Sequence, residues 1–226
     1  MKYQQRTRVK LCGITRLEDA TAAVKEGVDA LGFVFCEESP RNIDPEDARL
    51  IIETLPPMVQ AAGVFTDLRR KEVEEIVHYC GLGLVQLHGA ESIKYCERLS
   101  RKVTPCRVLK ALQVVPGLSA AEITPFDPFV HGYLLDIHTD DGKHKKDAGT
   151  FDCYCSLIEQ LQLQRPYLLS GGLDSANVEQ CLREVQPFGV DVAAGVEETP
   201  GIKNHALIRE FMRKVRAFDH ARTVSD

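Results

Sequence analysis

Val9-Lys10-Leu11-Cys12-Gly13-Ile14-Thr15, close to the N-terminus, is a short apolar run that ends on a cysteine and turns at once on a glycine. Thr15 with Glu18 three residues on has the spacing of a capping box, which predicts that a helix starts here. The stretch therefore reads as buried strand, tight turn, helix. A thiol at the carboxyl end of such a strand, beside a helix N-terminus, has the place of an acid or base; a small buried hydrophobe is the plain alternative.

Moving outward, the same unit recurs. Residues 17–26 carry apolar side chains at 17, 20, 23 and 24, a helical stripe that Gly27 ends. The next run, 30–35, is a strand; a helix over 45–55 follows, with Asp44 as N-cap and Pro45 at its first position. Further strands are predicted at 8–12, 59–65, 84–87, 107–112, 130–136, 167–169 and 190–193. Helices are predicted at 68–80, 92–99, 119–123, 151–163, 175–185 and 202–215. Short, nearly continuous apolar strands alternating with amphipathic helices signal a parallel sheet covered by helices. Eight such units in this length predict an α/β fold, a single-domain (β/α)8 TIM barrel spanning 1–226, with its core over about 8–217 and a polar tail after 218. The stretch 137–150, rich in His, Lys, Asp and Gly, is expected to be a mobile binding loop or lid.

Composition narrows the class. Hydrophobic content of 44% and charged content of 27% suit a globular chain with a sizeable core. The net charge of −5 and the lack of a basic block give no reason to expect nucleic acid as a partner. No run approaches the ~18 apolar residues that span a bilayer, and the start of the chain lacks a signal-peptide core. The chain is therefore expected in the cytoplasm, as a monomer or a homodimer. Eight cysteines are scattered without a Cys-x-x-Cys pair, as buried thiols in a reducing compartment are. Cys153 and Cys155, with His131, His138 and His144 nearby, lack zinc-ligand spacing, and no metal is expected.

In this fold, function gathers at the carboxyl ends of the strands. Those ends carry Cys12, the segment Glu38-Ser39-Pro40-Arg41, His88-Gly89, Asp136, Ser170-Gly171-Gly172 and Ala194-Gly195. Loops after strands seven and eight in this fold often hold phosphate on backbone N–H groups, which makes Gly171, Gly172, Ala194 and Gly195 candidates; simple tight turns are the alternative. Cys12 and Asp136, on well-separated strands, are the candidate acid–base pair. Asp136 as a helix or turn cap is the competing reading. A cysteine base needs a lowered pKa, and Lys10, on the inward side of the same strand, is the expected ammonium. Arg41 suits a substrate carboxylate or stands as a solvated side chain. His88 suits a substrate oxygen or caps the turn at Gly89.

With these residues in place the chain resembles the phosphoribosylanthranilate isomerases of tryptophan biosynthesis. The matching segments are VKLCGIT (9–15), DALGFVFCEESPRNI (29–43), VQLHGAES (85–92), LLD (134–136), TFD (150–152), LLSGGL (168–173) and GVDVAAGVEETPGIKN (189–204). The resemblance implies a cofactor-independent Amadori rearrangement of N-(5-phosphoribosyl)anthranilate, a phosphorylated small molecule, to the corresponding 1-deoxyribulose phosphate. It implies Cys12 as general base at the sugar C2, Asp136 as general acid at the ring oxygen, and Arg41 on the anthranilate carboxylate. The phosphate would lie on the backbone around Gly171, Gly172, Ala194 and Gly195. Three positions depart from the family pattern: Lys145-Lys146-Asp147-Ala148 replaces a glycine-rich segment, Ala193-Ala194 replaces two serines, and Cys153 replaces a tryptophan. A related sugar-phosphate isomerase or epimerase, or a non-catalytic barrel binding a phosphorylated ligand, are the alternatives.

Overall fold

Each short apolar run of the sequence folds as a strand of one closed sheet, because both of its faces are covered. The computed structural model describes residues 6–137 and 148–225. The strands β1 (Arg8–Cys12), β2 (Ala30–Phe35), β3 (Gln60–Phe65), β4 (Leu84–Leu87), β5 (Arg107–Gln113), β6 (Gly132–Asp136), β7 (Tyr167–Ser170) and β8 (Gly189–Val192) are parallel and ordered as in the chain. β8 pairs back onto β1, with Lys10 opposite Asp191, and closes the barrel. The helices α1 (Leu17–Lys25), α2 (Pro45–Ile52), α3 (Arg70–Cys80), α4 (Ile93–Lys102), α5 (Ala120–Ile123), α6 (Ala148–Leu161), α7 (Val178–Val185) and α8 (His205–Ser225) form the outer ring.

Alternation along the strands sorts the core into layers. Outward side chains such as Val9, Leu11, Leu31 and Phe33 join the helices' apolar stripes in one large cluster. Inward ones form two smaller clusters, Cys12 with Val34 and Val64, and Ala111 with Leu134 and Leu168. Helix starts follow local chemistry. Asp44 accepts from the Glu46 N–H ahead of Pro45 at the start of α2, and Ser92 accepts from the Tyr95 N–H at the start of α4. Each such cap contributes about 1 kcal/mol.

Four expectations change. Thr15 does not cap α1; its hydroxyl donates to the Gly201 carbonyl, and Arg16 stands at the N-cap. The helix expected at 175–185 starts later because the Asp174 carboxylate accepts from the Ala176 and Asn177 N–H groups in a preceding turn. Residues 202 and 203 do not open the last helix. They form strand β10 (Ile202–Lys203), paired antiparallel with β9 (Glu197–Thr199), and Asn204 then accepts from the Ala206 and Leu207 N–H groups at the head of α8. The polar tail after 218 is helical through Ser225, and Asp219 accepts from both the N–H and the hydroxyl of Thr7. Most of the loop expected at 137–150, together with His138, His144 and the Lys145-Lys146-Asp147 segment, lies outside the described residues; from Ala148 the chain is helical. Among the described residues no helix is long and apolar enough to cross a membrane.

Candidate active site

The site is assembled from β1 outward. Lys10 and Cys12 share the inward face of β1. Lys10 Nζ lies 2.7 Å from Asp191 Oδ1, and both side chains are buried. Cys12 pairs in register with Gly32 of β2, where a side chain would not fit: a Cβ there would stand 2.8 Å from the Cys12 sulfur. Gly32 therefore leaves the thiol its place. Burial pushes the Cys12 pKa up; Lys10 pulls it down, Asp191 opposes that pull, and the net shift is upward. The expected lowering of this pKa is thus not found, because burial outweighs the pull of Lys10, part of which Asp191 also offsets. Burial also works against the charge of Lys10, but Asp191 and Cys12 together keep its pKa raised.

On the far side, Asp136 ends β6 and pairs in register with Ser170 of β7. His88 Nε2 stands 3.4 Å from Asp136 Oδ2. Gln86, two residues back on the inward face of β4, places its amide nitrogen 3.0 Å from His88 Nδ1. With Gln86 donating, Nδ1 is the acceptor and the proton of the neutral ring sits on Nε2, facing the carboxylate. The Gln86 amide oxygen is buried without a partner among the described residues. A buried ion pair underlies this turn. Lys110 Nζ lies 3.0 Å from Glu91 and donates to the Leu87, Gly89 and Ala111 carbonyls, while Glu91 accepts from the Gly89 N–H.

Arg41 follows β2 on a loop closed by Cys36 N–H to the Asn42 side chain and Arg41 N–H to Ser39 Oγ. Its stem lies over Gly13, whose φ of +78° and missing Cβ both require glycine; a Cβ there would meet Arg41 Cδ at 2.5 Å. Its head meets the Glu197 carboxylate, with Nε 2.9 Å from Oε1 and Nη2 2.7 Å from Oε2. Glu197 also receives Lys203 Nζ at 2.7 Å. Burial alone raises the Glu197 carboxyl pKa, but Arg41 and Lys203 outweigh it and hold it below the usual glutamate range.

After β7, Gly171 and Gly172 take positive φ values of 94° and 62°, which only glycine adopts freely. After β8, Ala194–Val196 form one 3-10 turn. A Cβ on Gly195 would overlap the Leu173 carbonyl group, so the two loops meet backbone to backbone. Among the described residues no turn or loop hydrogen bond uses the N–H of Gly171, Gly172, Ala194 or Gly195. Ala193 and Ala194 bring no hydroxyl to this corner.

Cys12, Arg41, His88, Asp136, Gly171, Gly172, Ala194 and Gly195, all singled out from sequence, line one cleft of about 390 Å³ at the carboxyl ends of the strands. A larger cavity of about 460 Å³ opens at the opposite end of the barrel, and Cys12, Arg41, His88 and Asp136 do not touch it. The sequence reading missed Gln86, Asp191, Glu197 and Lys203. A carboxylate inside Val190-Asp191-Val192 was the available signal, since a charge buried in a strand needs a partner.

A closed barrel with a thiol, a carboxylate and a guanidinium around one mouth, and two glycine-bearing loops on β7 and β8, defines a (β/α)8-barrel enzyme for a small anionic substrate. The chain belongs to the N-(5'-phosphoribosyl)anthranilate isomerase family, whose family description matches residues 9–214. It is 43% identical over 210 residues to the N-(5'-phosphoribosyl)anthranilate isomerase of Geobacter sp. (strain M21), covering 93% of this chain and 98% of that one. It resembles a crystal structure of phosphoribosyl anthranilate isomerase in complex with reduced 1-(o-carboxyphenylamino)-1-deoxyribulose 5-phosphate, with TM-score 0.77, 36% identity and coverage of 93% and 99%. A structure of monomers generated from the dimeric enzyme of Thermotoga maritima matches with TM-score 0.74, 36% identity and coverage of 93% and 98%.

Proposed function

We propose that this chain converts N-(5-phosphoribosyl)anthranilate into 1-(2-carboxyphenylamino)-1-deoxyribulose 5-phosphate, with Cys12 as general base and Asp136 as general acid. The observation that carries the reading is the placement of these two groups on β1 and β6 around one cleft, in a chain of this family. Asp136 gives its proton to the ring oxygen as the C1–O bond breaks, leaving an open-chain iminium between C1 and the anthranilate nitrogen. The Cys12 thiolate removes the C2 proton, and the C2–H electron pair forms the C1=C2 bond of an enolamine. Tautomerisation delivers a proton to C1 and leaves a ketone at C2. C1 is reduced as C2 is oxidised, so electrons balance within the substrate.

Arg41 holds the anthranilate carboxylate through Nη1, the guanidinium nitrogen that Glu197 does not occupy. The phosphate rests on the backbone N–H groups of the Gly171-Gly172 and Ala194-Gly195 loops, which no turn or loop bond among the described residues uses. His88, through Nε2, holds the Asp136 carboxyl toward the cleft. The reading places the enzyme in the cytoplasm, which agrees with the free thiols among the described cysteines. Its partner is the small phosphorylated substrate, with neither nucleic acid nor membrane involved.

Purified protein is assayed for the rearrangement beside Cys12→Ser and Asp136→Asn, and the gene is tested for rescue of a tryptophan auxotroph lacking this step. Turnover is expected in the parent chain and a loss of at least ~100-fold in each variant, the usual scale of a general acid or base. Robust turnover surviving both substitutions removes the mechanism.

A further inference from the structure

Lys203 and Glu197 sit outside the acid–base pair, yet their bonds reach the Cys12 backbone, the loop after β8 and Arg41. Lys203 is fully buried on β10, and its ammonium donates to the carbonyls of Cys12 and Ala193 and to Glu197 Oε1. Glu197, also buried, accepts the Gly201 N–H and both Nε and Nη2 of Arg41. The hairpin of β9 and β10 thus ties the Cys12 backbone, the β8 loop and the Arg41 side chain to one carboxylate.

The charge count matters. Lys203 and Arg41 share a single carboxylate, so the cluster keeps one net positive charge. Lys203 is sealed from solvent while the Arg41 side chain is 24% exposed, so that charge faces the cleft through Arg41 alone. Nη1 takes no hydrogen bond among the described residues, whereas Nε and Nη2 are both engaged. A guanidinium held by one edge offers its remaining N–H groups in a fixed direction. Gly13 beneath the stem leaves the room in which the other end of the side chain lies.

We propose that Glu197, held by Lys203, is a specificity-determining positioning residue: it aims Arg41 so that the site selects substrates whose aglycone carries a carboxylate. The inference rests on the reading that Arg41 binds that carboxylate. Glu197 acts through Arg41 and touches no reacting atom.

The test compares N-(5-phosphoribosyl)anthranilate with N-(5-phosphoribosyl)aniline, which lacks the carboxylate, in the parent chain and in Glu197→Gln, Arg41→Ala and the double variant. Loss of a charge-assisted hydrogen bond corresponds to about 10- to 100-fold. The expected result for Glu197→Gln is therefore a rise in KM for the anthranilate substrate of at least about tenfold, with a smaller change in kcat and no change in kcat/KM for the aniline substrate. Arg41→Ala is expected to erase the same selectivity, and the double variant to lose nothing further. If Arg41→Ala erases the selectivity but Glu197→Gln leaves it intact, or lowers both substrates alike, the positioning role is overturned while the Arg41 reading stands. Selectivity that survives Arg41→Ala overturns both. Should Glu197→Gln fail to fold because Lys203 is left unpaired, Glu197→Asp keeps the charge beside Lys203 while its shorter side chain withdraws from Arg41, and it is read by the same criteria.

Discussion

Gly32→Ala is the sharpest perturbation of the proposed chemistry, because it adds one methyl group to an ordinary strand position and aims it at the Cys12 thiol. The new Cβ would stand 2.8 Å from the sulfur, 3.1 Å from Cys12 Cα and 3.2 Å from Lys10 Cε. Ordinary contact distances are about 3.5–4.0 Å, so the sulfur must withdraw by roughly 1 Å. A misplacement of about 1 Å costs on the order of 100-fold in rate, or ~2.7 kcal/mol of transition-state stabilisation. Overpacking of this kind costs about 1–3 kcal/mol of stability, which in a domain of this size lowers Tm by roughly 2–12 °C. Arg41 and the loops after β7 and β8 are not in this contact, so affinity for a reduced product analogue is expected to stay close to the parent value. Steady-state kinetics, analogue titration and thermal unfolding of the same preparation separate these effects. A variant with parent kcat would falsify the claim that the sulfur's position in the Cys12–Gly32 register governs the proton abstraction, and a parallel loss of analogue affinity would show a general collapse of the cleft.

The pH profile follows from the raised Cys12 pKa: only the thiolate removes a proton, so below that pKa log(kcat/KM) climbs with a slope near 1 as pH rises. The climb is expected to continue beyond the ordinary thiol value of about 8.5, and a plateau reached near pH ~7 would contradict it. Lys110→Met leaves Glu91 buried and unpaired, which costs about 3–5 kcal/mol, or roughly 6–20 °C in Tm; an unchanged melting curve refutes the pairing. Gly195→Ala drives a methyl into the Leu173 carbonyl group and forces the β7 and β8 loops apart. Its expected mark is a loss of phosphate-inhibitor affinity of at least ~10-fold, one charge-assisted N–H contact's worth, and parent affinity would show that the phosphate binds elsewhere.

What the sequence disclosed, and what it did not, divides along one physical line. Periodicity and turn chemistry are local, so the eight strands were legible, and β1, β2 and β4 appear with the bounds expected. The strand-end rule of the fold then sufficed to bring Cys12, Arg41, His88 and Asp136 to one cleft. Failures arose where a distant residue competed for a local group. Thr15 looked like a cap, but the Gly201 carbonyl recruits its hydroxyl across the fold. Residues after 218 looked like a solvated tail because nothing nearby in sequence announced that Thr7 would bind Asp219. Lys10 was rightly placed on the inward face beside Cys12 and does lower the thiol's pKa, but burial outweighs it and its partner Asp191, 181 positions away, offsets part of that pull.

The same line explains where the chain spends its buried charge. Lys10–Asp191 lies beneath Cys12, Lys110–Glu91 beneath the turn that bears His88, and Lys203–Glu197 beneath Arg41. Desolvation makes a buried ion pair a poor source of stability, often no better than two apolar side chains of the same volume. An apolar pair, however, supplies no directed bond. Glu91 fixes the Gly89 N–H, Lys110 the Leu87 and Gly89 carbonyls, and Lys203 the Cys12 carbonyl. Acid–base chemistry tolerates errors of well under an ångström in its participants, a precision that packing of Val, Leu and Ile alone does not impose on a loop. The buried pairs therefore hold geometry rather than add to stability: Lys110–Glu91 and Lys203–Glu197 place their restraints at strand ends where the barrel's hydrogen-bonded ladder stops, while Lys10–Asp191 bridges β1 and β8 one step inside it.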